Sequence, residues 1–112
     1  TPSPGQNWCA AWVTNVFRNA GVGYFGGNAC DMYDSWCKSS DRSELKVGMM
    51  IAVPTHHATD MGKIYGHVGI YIGDGKVRHN IGQVVTDDLD KWISYYGSDA
   101  EVRWGYPSGV QE

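Results

Sequence analysis

The stretch GHVGIYIGDGKVRHNIGQVV, from Gly66 to Val85, decides the fold. Its β-branched and aromatic residues flank Gly73-Asp74-Gly75, a turn signal that predicts a β-hairpin. A histidine opens the first strand and another stands twelve positions later on the second. If Gly73, Asp74 and Gly75 form a three-residue loop, Ile72 faces Lys76 and His79 lies opposite Gly69. His79 is then diagonal to His67 on the same face, within side-chain reach. If Asp74-Gly75 alone makes the turn, Asn80 takes that place instead. Glycine at the left-handed bulge position of a three-residue loop suits Gly75, so the first register, with His79 beside His67, is expected.

Outward from the hairpin, the chain reads as helices first and strands later. In GQNWCAAWVTNVFRNAG, Gly5 to Gly21, the apolar residues Cys9, Trp12, Val13, Val16, Phe17 and Ala20 make one helical stripe. Asn7 is the expected cap and Gly21 the expected stop, giving a helix from Trp8 to Ala20. Ala29 to Lys38 reads as a second helix. VGMMIAVP, from Val47, is an apolar run of strand length closed by Pro54. THHATDMGKIY is read as a loop. TDDLDKWISYYG is read as a third helix capped by Thr86 or Asp87, and EVRWGYP as a last strand. This order predicts an α+β class with an antiparallel sheet.

The 112 residues suit one domain, residues 1–112, with a single core. The formal charge of −3 is scattered, which offers no basic stripe for nucleic acid and no pull toward anionic membrane. No apolar run is long enough to insert in a membrane, and the first twenty residues lack a signal-peptide pattern. The chain begins with Thr1. It is read as a mature form or as a domain excised from a longer protein. Three cysteines, Cys9, Cys30 and Cys37, cannot all pair within one chain. On a continuous helix Cys30 and Cys37 stand roughly 10 Å apart, beyond the ~7 Å reach of a disulfide, so both are expected as small buried apolar residues.

Cys9 is the chemically suggestive one. In the first turn of a helix, unpaired N–H groups and the dipole favour an anion, and with a nearby imidazolium such a thiol falls from about 8.5 into a range of roughly 3.5 to 7.5. A cysteine there also simply begins the apolar stripe. What turns the reading toward catalysis is the pair His67 and His79, a base and a group to orient it, as cysteine nucleophiles require.

In NWCAAWVTNVFRNAG, LKVGMMIAV and GHVGIYIGDGKVRHN the chain resembles the NlpC/P60 peptidoglycan peptidases, with a CHAP-like WCAAWV start. The resemblance spans about Gln6 to Asp87. It implies a papain-like fold, with N-terminal helices on a central antiparallel sheet. It also implies Cys9 as nucleophile, His67 as general base and acid, and His79 as the residue that orients His67. By rough analogy with papain-like enzymes, the Cys9 N–H and the Gln6 side chain are oxyanion donors. The family usually carries aspartate before the cysteine, where this chain has Trp8, and a substrate-contacting tyrosine upstream, which this chain lacks.

The resemblance further implies amide cleavage in peptidoglycan stem peptides through a thioester, with an endopeptidase preferred. N-acetylmuramoyl-L-alanine amidase action and a non-hydrolytic wall-binding or phage-tail module are the alternatives. The protein would be secreted, envelope-associated or carried on a phage particle, and delivered to the wall by further domains. No cofactor is expected. His56, His57, Asp60 and His67 suit zinc by type, yet adjacent histidines rarely share one ion, so no metal is expected. His56 and His57 are placed at the rim of the cleft or in solvent. Neither acidic cluster, Asp31/Asp34 nor Asp87/Asp88/Asp90, has the pattern of a calcium loop.

Overall fold

A computed structural model describes residues 1–107. Its elements are α1 (Cys9–Asn19), α2 (Ala29–Trp36), a 3₁₀ turn (Arg42–Glu44), β1 (Met50–Val53), α3 (Asp60–Tyr65), β2 (His67–Gly73), β3 (Lys76–Asn80), β4 (Val84–Asp88), α4 (Leu89–Tyr96) and β5 (Arg103–Gly105). The strands form one antiparallel sheet in the order β4-β3-β2-β1-β5. The class is α+β, as expected.

The central strand explains its own composition. Side chains alternate across a strand, so Met50 and Ala52 face one way and Ile51 and Val53 the other. Met50 and Ala52 join Trp12, Val13 and Phe17 of α1 and Met32 of α2, while Ile51 and Val53 join Leu89 and Trp92 of α4, with Trp104 of β5. Both faces of β1 are therefore covered, which is why MIAV reads as a continuous apolar run rather than an alternating one.

Several expectations are corrected. The cap of α1 is not Asn7 but Trp8, whose side chain makes no capping hydrogen bond. Asn7 instead takes a left-handed conformation, φ 65°, which asparagine tolerates and which turns the chain into the helix. Gly21 ends α1 with φ 74°, as expected. α2 stops at Trp36 rather than Lys38. Cys30 and Cys37 are free thiols; Cys37 is fully buried and pushed up to about 12 by that burial, whereas Cys30, expected to be buried as well, is only partly so.

The segment read as a loop contains α3, whose start is capped by Thr59, its hydroxyl accepting from Gly62 N–H at 2.9 Å. Thr86 and Asp87 are not helix caps: they lie on β4, and Asp88 holds the cap position of α4. β4 is stabilised by cross-strand pairs, Lys76 with Asp88 and Arg78 with Thr86 at 3.2 Å.

The hairpin reaches the expected register by a different route. Asp74 and Gly75, φ 53° and 69°, form a two-residue turn with Gly73 opposite Lys76. An irregularity between Tyr71 and Gly73 then shifts the pairing by one, so that Gly69 faces His79. No helix among the described residues is long and apolar enough to cross a membrane.

Candidate active site

Cys9 opens α1 half-buried, with its sulfur engaged by the backbone N–H groups of Val68, Ala10 and Cys9 itself. Those donors pull the thiol down, but burial pushes it up by more, so the net displacement is upward. The expectation of a thiolate favoured by the helix start is thereby corrected. The resting sulfur carries its proton, so a nucleophilic role would call for a base.

His67 stands one residue before Val68, at the start of β2. Gly66, which ends α3 at φ 76°, starts β2 at His67; a Cβ at Gly66 would lie 2.0 Å from the Val53 carbonyl oxygen, so only glycine permits this close approach. His67 Nε2 lies 2.8 Å from His79 Nδ1. Gly69, two residues along β2, lies directly opposite His79. A Cβ there would fall 2.9 Å from Val77 Cγ1, 3.0 Å from the Arg78 carbonyl oxygen and 3.0 Å from His79 Cβ. Both histidines are buried.

α4 packs two aromatic rings against the pair. Tyr96 stacks on His67 at 4.4 Å and 21° between planes, and Trp92 stacks at 5.8 Å and 29°. Burial among these rings holds the His67 imidazolium well below its ordinary range, with His79 and His56 adding to the effect. Burial also lowers His79, opposed by its contact with Asp87. Both rings are neutral at neutral pH, and a neutral imidazole that shares a cleft with a protonated thiol has the chemistry of a general base.

Cys9, His67 and His79 line one open cleft of about 930 Å³. Gln6 and Asn80 line it too, but Asn80 does not orient His67. Its amide ties down the N-terminal segment, donating to Gly5 O at 2.8 Å and accepting from Ser3 Oγ and from Gly82 N–H. Trp8, 59% exposed, borders instead a smaller groove of about 220 Å³ on the other side of Cys9. His57 points away from the cleft to Asp99, 2.7 Å distant, whereas buried His56 lines it, edge-on to His67 and Tyr96.

Sequence reasoning missed Asp87 and Tyr96; Trp92, expected as core or cleft wall, is both, and His56, expected at the cleft rim or in solvent, lines the cleft as a buried ring. Asp87 Oδ2 accepts from His79 Nε2 at 2.6 Å. Reading VVTDD as a strand would have found it, because Val85 pairs with His79 and Asp87 is then the diagonal neighbour on the same face. Among the described residues no group of three or more His, Cys, Asp or Glu is placed to hold a metal ion. No protein-family model matches the chain, and no curated protein matches it either.

Proposed function

We propose that the protein is a papain-like cysteine hydrolase of NlpC/P60 type that cleaves amide bonds in the stem peptides of peptidoglycan, as an endopeptidase. The observation that carries this reading is the 2.8 Å contact between His67 and His79 in the cleft that the sulfur-bearing start of α1 also lines. His67 uses Nε2 toward His79, which leaves Nδ1 for the thiol.

In the reaction, Cys9 Sγ attacks the amide carbon as its proton passes to His67 Nδ1. The resulting oxyanion is met by N–H donors at the start of α1, with Gln6 at the cleft wall as a side-chain donor. Collapse expels the amine, which takes the proton from His67, and leaves a thioester on Cys9. His67 then deprotonates a water that attacks the thioester, releasing the carboxylic acid and restoring the thiol. The stacked Tyr96 and Trp92 hold the imidazole plane fixed through both proton transfers. With a net charge of −3 the domain has no attraction for an anionic wall, so other modules of a longer protein bring it to the substrate.

The test is digestion of purified peptidoglycan with mass spectrometry of the soluble products. Fragments ending at a cleaved stem-peptide bond are expected from the wild type and none from folded Cys9→Ala. Release of the whole stem peptide from the glycan would replace endopeptidase by amidase. Wall binding without any product would leave a non-hydrolytic module and overturn the proposal.

A further inference from the structure

Three successive strands present one polar side chain each on the same face: His67 on β2, His79 on β3 and Asp87 on β4. Each is diagonal to the next, and the chain closes through two hydrogen bonds, 2.8 Å from His67 Nε2 to His79 Nδ1 and 2.6 Å from His79 Nε2 to Asp87 Oδ2. His79 is 1% exposed in its side chain, so neither of its nitrogens has a solvent partner to substitute.

The direction of this chain follows from elementary donor counting. An ionised carboxylate accepts only, so His79 Nε2 must carry the hydrogen. A neutral imidazole has one N–H, so His79 Nδ1 is an acceptor. His67 Nε2 must then be the donor, and His67 Nδ1 holds the free lone pair. Reversing the chain would place a hydrogen on His67 Nδ1 and a lone pair of His79 against a carboxylate oxygen.

We propose that Asp87 is a positioning residue that fixes both histidines as Nε2–H tautomers and so keeps the basic nitrogen of His67 available to the Cys9 thiol. On thiol deprotonation one proton moves, from Sγ to His67 Nδ1. His79 keeps its Nε2 hydrogen and Asp87 takes none up, and the Asp87 charge stabilises the imidazolium through His79. Asp87 is half exposed, 47% in its side chain, which limits its electrostatic reach but not the directionality of its hydrogen bond. The tautomer assignment stands by itself; its consequence for reactivity rests on Cys9 and His67 being nucleophile and base.

The experiment uses long-range ¹H–¹⁵N spectra of the imidazoles at pH 7.5, with iodoacetamide alkylation of Cys9 in a Cys30→Ser background. Wild type is expected to show His67 and His79 as Nε2–H tautomers. Asp87→Ala and the isosteric Asp87→Asn are expected to give mixed tautomers at both rings and alkylation slower by about 10- to 100-fold, the usual scale for losing such an orienting partner. Asp87→Glu is expected to restore both. Wild-type His79 as Nδ1–H, or alkylation unchanged in Asp87→Asn, would overturn the proposal. If the tautomers and alkylation respond as expected while peptidoglycan stays uncut, the substrate reading falls and the role of Asp87 stands. If peptidoglycan is cut and Asp87→Asn alters neither readout, the reverse holds.

Discussion

Helices α1 and α2 pack into the same core on one face of the sheet, yet they begin in opposite ways. α2 closes its own N-terminus: Asn28 and Asp31 form a capping box, with Asp31 Oδ2 accepting from Asn28 N–H at 2.9 Å. α1 leaves its end without a side-chain cap, because Trp8 has no acceptor to offer and turns outward. The N–H groups of its first residues engage the sulfur of Cys9 instead. One helix start serves only its own stability; the other directs its donors at a thiol that shares a cleft with the buried His67. On the proposed function, the difference separates a structural terminus from a chemical one.

That contrast can be broken at several depths. Cys9→Ala removes the reactive atom and is expected to abolish peptidoglycan cleavage while leaving the melting temperature nearly unchanged, as checked by product assay and circular dichroism. His67→Ala is expected to lower kcat/KM by about 10² to 10⁴, the span typical for loss of general acid–base help. Gly69→Ala puts a methyl group 3.0 Å from His79 Cβ and is expected to push the two rings apart. Misplacement on this scale costs about a hundredfold in rate, visible as lost activity in a folded protein.

The acid side of the stability curve gives a smaller effect with a definite sign. His56, His67 and His79 are all held below their ordinary value of 6.5 by burial. The unfolded chain therefore binds more protons than the folded one as pH drops past 6.5. Their contribution is present in full above that value and is lost as pH falls from 6.5 toward their folded values. Denaturant midpoints measured from pH 8 to pH 5 are expected to decline in the lower half of that range, and less steeply in His56→Phe. The smallest change is at the other helix: Asp31→Ala opens the α2 cap and is expected to cost about 1 kcal/mol in denaturant titrations without altering kcat.

What the sequence revealed and what it hid divide along physical lines. The hairpin, the stripe of α1 and the diagonal pairing of His67 with His79 were legible, since they depend on periodicity and turn chemistry within about twenty residues. The register held even though the turn did not, because a two-residue turn plus an irregularity at Tyr71–Gly73 shifts the strands as a three-residue loop does. β4 was hidden by its acids: Thr86, Asp87 and Asp88 look like a helix start, and only pairing with Lys76 and Arg78 makes them a strand. Asp87 was lost with it. α3, six residues long with a glycine inside, gives too little periodicity to register. The direction of the Cys9 shift was also out of reach. The helix start is visible in a sequence, but the burial that outweighs it is set by packing.

The central claim, that Cys9 is a nucleophile deprotonated by His67, is tested most directly by trapping the thioester. Wild-type protein mixed with a soluble stem-peptide fragment and quenched in acid within milliseconds is expected to gain the mass of the acyl portion, mapped by peptide sequencing to Cys9. Cys9→Ala is expected to gain none. An adduct on Cys30 or Cys37, or cleavage of the fragment by folded Cys9→Ala, would contradict the account.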